Sequence, residues 1–132
     1  MTRYSLLLTA ALLALIAVPV AQARAAHANA TVNVTAGKPS EFKFTLSAKS
    51  VPHGAVTFKV TNKGALGHDF KVCTAPAKTA AALTCAGKGT GVVSTGGNGT
   101  LKFTFTKAGT YEYLCSVPGH AAGGMKGLLK VT

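Results

Sequence analysis

From Thr31 onward, apolar and polar residues alternate in twos. Phe42, Phe44 and Leu46 share one face, and Glu41, Lys43 and Thr45 the other. Val56, Phe58 and Val60 alternate with Thr57, Lys59 and Thr61, as Leu101, Phe103 and Phe105 do with Lys102 and Thr104. A period of two is that of a strand with one buried face. Val32 to Val34, His68 to Val72, Thr110 to Cys115 and Gly127 to Val131 are further predicted strands. Turn-forming clusters separate these runs, at Gly37 and Pro39, Pro52 to Gly54, Asn62 to Gly64, Gly96 to Gly99, and Ala108 with Gly109. Seven short strands in about 100 residues predict an antiparallel sandwich or barrel without a second domain.

Two segments depart from this pattern. Pro76 to Leu83 is alanine-rich, carries proline where a helix can begin, and lies between Cys73 and Cys85, so it reads as a helical or irregular excursion. Thr90 to Thr100 is glycine-rich and reads as a flexible loop.

The amino terminus has a different character. Arg3 precedes a largely apolar run from Leu6 to Val20, which is followed by Ala21, Gln22 and Ala23. This order predicts a cleaved secretory signal over residues 1–25, with the cut after Ala23, Ala25, Ala28 or Ala30 and a domain over residues 31–132. The apolar run contains Pro19 and is shorter than the roughly 20 residues a membrane helix needs. No stable membrane insertion is therefore expected after cleavage, and the location implied is periplasmic or otherwise secreted. Export places three cysteines where disulfides persist, and an odd number leaves one thiol to be explained.

Charge adds a constraint on partners. Lys and Arg number 14 against Glu41, Asp69 and Glu112, and losing Arg3, together with Arg24 for any cut beyond it, leaves about +9 to +10, a field that favours acidic partners or simply keeps the surface soluble. The lysines are spread singly along strands rather than clustered with aromatics, which argues against nucleic acid.

Candidate chemistry is concentrated near the carboxyl end. Cys115 shares strand parity with Tyr111 and Tyr113, and His68 with Phe70 and Val72, so both groups point inward if those apolar neighbours do. Cys115, His120 and Met125 follow at intervals of five residues in a Gly/Pro loop. Two imidazoles and a thiolate with a weak axial thioether form the trigonal site that suits copper in both oxidation states.

The run from Gly109 through Cys115, His120 and Met125 to Gly127 resembles the copper loop of the cupredoxins, in particular the azurin, auracyanin and rusticyanin branch. Val60 to Phe70 resembles the segment that supplies that family's first histidine. The resemblance covers about Thr31 to Thr132. It implies a Greek-key β-sandwich of seven to eight strands holding one copper ion. His68, Cys115 and His120 would be equatorial ligands, Met125 axial, and the Gly67 carbonyl would lie near the metal. Many relatives carry asparagine after the first histidine. Here Asp69 stands there, able to accept a hydrogen bond from Ser116 but, when ionised, unable to donate one. His120 would be the electron exit, within an apolar patch formed by Ala65, Leu66, Pro118, Ala121 and Ala122.

Cys73 lies five residues after His68 and so faces the opposite side of a strand. Pairing with Cys85 leaves Cys115 free for metal and closes a loop worth roughly 3 kcal/mol in the chain-entropy model. His53 sits in a Pro-His-Gly turn about 20 Å along the strand from the His68 end, and His27 lies beside the processing site. Neither is expected to bind the same ion.

Four side-chain ligands leave no open position for a substrate, so no enzyme is expected. The reading is a monomeric single-electron carrier with transient redox partners, acidic ones being favoured by charge. The alternatives are a copper storage, delivery or resistance protein with the same ligands, and a metal-free binding module on the same fold.

Overall fold

A computed structural model describes residues 29–132. The predicted signal over residues 1–25, its cleavage sites before Asn29, and His27 lie outside the described residues.

Among the described residues nine strands form: β1 (Ala30–Ala36), β2 (Phe44–Leu46), β3 (Ser50–Val51), β4 (Gly54–Asn62), β5 (Lys71–Pro76), β6 (Gly87–Gly89), β7 (Asn98–Phe105), β8 (Gly109–Leu114) and β9 (Lys126–Val131). They make a four-stranded sheet in the order β2-β1-β4-β7 and a five-stranded sheet in the order β3-β9-β8-β5-β6. Strands β3 and β6 span two and three residues, too few for alternation to reveal.

The period of two predicts inward faces well. Val56, Phe58 and Val60 on β4 and Leu101, Phe103 and Phe105 on β7 are all buried, and they join Val32 and Val34 of β1. Val51, Val72, Tyr111, Leu129 and Val131 from the other sheet complete the core. The sandwich is held by this apolar layer, each large side chain in it contributing about 1.5–3 kcal/mol by leaving water.

The expectation of an antiparallel sandwich needs correction, because β1 pairs with β4 and β3 pairs with β9 in parallel. A period of two encodes which face is buried but not the direction of the neighbouring strand. The strand predicted from Glu41 begins only at Phe44. Residues 41–43 instead belong to a turn in which Gly37 N donates to Lys43 O and Lys43 N to Ser40 O. Residues 68–70 form no ladder; His68 makes an isolated antiparallel bridge with Val93, with mutual backbone bonds of 3.1 and 2.7 Å. That bridge orders part of the predicted loop 90–100, and its last residues, Asn98 to Thr100, open β7.

Among the described residues there is no helix, and the alanine-rich segment is irregular. Pro76 closes β5 rather than opening a helix. The Cys73–Cys85 disulfide forms as expected, with a Cα–Cα distance of 5.6 Å. Glu112, buried on the outer face of β8, accepts from Ala82 N through Oε2, and Lys126 Nζ donates to the Ala81 and Ala82 carbonyls. The segment is thus drawn flat onto the sheet, and so short a stretch cannot nucleate a helix against those ties.

Replacing both Cys73 and Cys85 with serine is expected to lower unfolding free energy by about 3 kcal/mol through lost loop closure. Urea denaturation of the two proteins checks this, with a similar slope and a lower midpoint expected.

Candidate metal centre

At one end of the sandwich β4 ends, β5 begins, β8 ends and β9 begins, with Leu114 opposite both Lys71 and Lys126. The segments joining these strands carry the candidate ligands. His68, Cys115 and His120 are all buried, and their donor atoms lie within 4.8 Å of one another. His68 Nδ1 is 3.1 Å from His120 Nδ1, and Cys115 Sγ is 3.4 Å from that same nitrogen. The two rings meet edge to face at 4.9 Å. Met125 is fully buried and clusters with Cys115 and Ala36. Cys115, His68 and Met125 have no exposure, whereas His120 keeps 8%.

The loop from Ser116 to Met125 is wound by its own backbone. His120 N donates to Val117 O, Gly123 N to Gly119 O, and Met125 N to His120 O, while Cys115 N donates to Met125 O across the base. Gly119 and Gly124 have φ of 85° and 99°, a region that side chains disfavour, so glycine allows this winding.

The 62–68 loop is held by Asn62, a fully buried residue. Its Nδ2 donates to the Leu66 and Val93 carbonyls at 2.7 and 2.9 Å, and its Oδ1 accepts from Gly64 N at 2.8 Å. Asp69 accepts from Ser116 N at 2.5 Å and from the Ser116 hydroxyl. Asparagine is not needed there, because both groups on Ser116 donate.

A third segment closes the centre, and sequence patterning misses it. The turn at residues 41–43 reaches across the site. Glu41 Oε1 accepts from His68 Nε2 at 2.8 Å, Phe42 lies 5.1 Å from the His120 ring, and Lys43 Nζ donates to Gly124 O. Alternation assigns Glu41 to a solvent face. The one sequence cue is that acids are so scarce, with Glu41 one of three.

Electrostatics suit a soft cation. Burial pushes the Cys115 thiol up to about 11, while backbone N–H groups of Asp69 and Val117 pull the other way and stand ready for a thiolate. Burial, aided by His68, holds His120 below the usual imidazole range, keeping it neutral as a ligand must be. The backbone amides of Ala65 and Leu66 hold the Glu41 carboxyl down at about 2, so it is ionised.

One predicted position departs from expectation and one conforms to it. Ala121 is 3% exposed and packs with Leu114 against the disulfide, so it drops out of the exit patch; Ala65, Leu66, Pro118 and Ala122 are exposed. His53 is at the far end, where Nδ1 lies 3.0 Å from Thr132 O.

A two-sheet sandwich that gathers two imidazoles, a thiol and a thioether at one end defines a small copper protein. The chain belongs to the copper binding proteins of the plastocyanin/azurin family, which match residues 20–132. It is 32% identical over 116 residues to the copper-resistant cuproprotein CopI of Rubrivivax gelatinosus, covering 81% of this chain and 69% of that one. It is 40% identical over 90 residues to rusticyanin of Acidithiobacillus ferrooxidans, covering 61% of this chain and 48% of that protein. The chain therefore matches about half the length of that rusticyanin. Among solved structures it resembles auracyanin B, with a TM-score of 0.62, 26% identity and coverage of 77% and 88%. Reduced rusticyanin follows with a TM-score of 0.57, 31% identity and coverage of 77% and 78%. Members of this family bind one copper and carry electrons rather than acting as enzymes. The donors fit that ion, since two nitrogens and a soft sulfur converge in a dry space.

Asn62→Ala leaves the Leu66 and Val93 carbonyls and Gly64 N short of partners. A loss of about 3 kcal/mol is expected from such buried orphans, read by thermal unfolding of the metal-free protein.

Proposed function

We propose that this chain is an exported blue-copper electron carrier. Copper would be held by His68 Nδ1, Cys115 Sγ and His120 Nδ1, with the Met125 thioether as a fourth donor and the Gly67 carbonyl nearby. The observation that carries this reading is the convergence of three buried donors, of which only His120 reaches the surface. Bound copper supplies a one-electron couple. The residues supply the rest: they exclude water, hold the donors in place through the backbone bonds of the 116–125 loop, and offer the His120 edge as the route out.

Ala65, Leu66, Pro118 and Ala122 are exposed apolar residues on the two histidine loops, and a small apolar contact suits brief encounters. The surplus of lysines favours acidic redox partners. The disulfide suits an oxidising compartment, so the periplasm is the proposed location, reached through the signal over residues 1–25. The protein is proposed to act as a monomer. Similarity to a copper-resistant cuproprotein supports a second reading, in which the same ligands store or deliver copper. Complete burial of Cys115 favours retention over release and hence the electron carrier.

The copper-loaded protein is expected to show the intense visible thiolate-to-copper absorption, absent from Cys115→Ala. A colourless wild-type protein rejects the reading. Reversible one-electron voltammetry with slow copper loss to a chelator is expected of an electron carrier, whereas rapid loss supports the copper carrier. Lys63→Ala is expected to slow electron transfer to an acidic partner at low salt and to have little effect at high salt; stopped-flow rates at two ionic strengths check it.

A further inference from the structure

Glu41 is bound on three sides. Its Oε1 accepts from His68 Nε2 at 2.8 Å and from Leu66 N at 2.9 Å, and its Oε2 accepts from Ala65 N at 2.9 Å. The Glu41 side chain is only 30% exposed although it comes from a turn 27 residues before the histidine. Space for it is built into the backbone. A Cβ on Gly64 would lie 2.5 Å from Glu41 Oε1 and 2.8 Å from His68 Nε2, so the couple occupies the place of a side chain. Gly37, with φ of 77°, packs directly on Gly64 Cα and lets the turn approach that closely.

An ionised carboxylate only accepts hydrogen bonds. A neutral His68 beside it therefore carries its proton on Nε2 and turns a bare Nδ1 lone pair toward His120 and Cys115. The same contact places a full negative charge one imidazole away from the donor cluster, on a ring with no exposure to water. Partners of this kind orient a ligating ring and increase its basicity.

We propose that Glu41 is a positioning residue for the metal centre, fixing the His68 tautomer before metal arrives and favouring the oxidised over the reduced ion once it is bound. This rests on the assignment of His68 as a ligand. Favouring the more positively charged state lowers the reduction potential, so removing the charge raises it. If the contact merely staples the turn to the 64–66 loop, removing it changes stability and leaves both tautomer and potential alone.

The test uses wild-type, Glu41→Gln and Glu41→Ala protein. In metal-free wild type, ring 15N shifts are expected to show His68 protonated on Nε2 alone, and in Glu41→Ala a mixture of tautomers. In copper-loaded Glu41→Gln, which keeps the shape and loses the charge, the potential is expected to rise by an amount equal to about a tenfold change in the Cu(II)/Cu(I) ratio, ~59 mV for a one-electron couple. An unchanged tautomer in Glu41→Ala, or a wild-type potential in Glu41→Gln, overturns the proposal. If Glu41→Ala does not fold, the Glu41→Gln potential decides. Failure of the copper reading is seen separately, as a colourless wild-type protein, and the metal-free tautomer then decides whether Glu41 orients His68.

Discussion

The structure depends on keeping three polar donors together in a space that excludes water. A thiol and two imidazoles buried without a metal cost free energy unless their hydrogen-bonding groups are matched. Here the donors partly satisfy one another, with His120 Nδ1 close to both His68 Nδ1 and Cys115 Sγ. The rest of the expense is met by the surroundings. Asn62 binds the loop before His68, Asp69 ties that loop to Ser116, and the 116–125 loop bonds to itself. The sandwich core beneath, with Phe58, Phe70, Phe105 and Leu114 fully buried, gives these segments a rigid base.

This arrangement explains why an electron carrier suits the site. An ion that changes charge but not ligands transfers electrons with least rearrangement when its donors cannot move. All three donors lie on segments fixed at both ends by strands. His120 alone among them meets the surface, so rigidity inside and access outside are assigned to different parts of one short loop. Its neighbour Ala121 faces inward against Leu114 and the disulfide, which links the ring's position to the covalent clasp on the outer face.

Much of this was legible in the sequence because it rests on local pattern. Alternation located the buried faces of β4 and β7, and the Cys115, His120 and Met125 spacing marked a loop returning on itself. The parity of Cys73 anticipated its disulfide. What escaped detection depends on chain direction and on contacts between distant segments. Parallel pairing of β1 with β4 leaves no trace in a period of two. Glu41 alternates as a surface residue should, and only the backbone approach of Gly37 to Gly64 brings it to His68. Glu112 likewise looks solvent-facing in sequence, and it is buried because the 77–86 segment folds over it.

A centre formed in advance is expected to keep the same ligands in both oxidation states. X-ray absorption at the copper edge, on oxidised and reduced protein, checks this. Two nitrogen donors and one short sulfur bond are expected in both states, with little change in distance. Loss of a histidine on reduction, or copper bound without the thiolate sulfur, would contradict it.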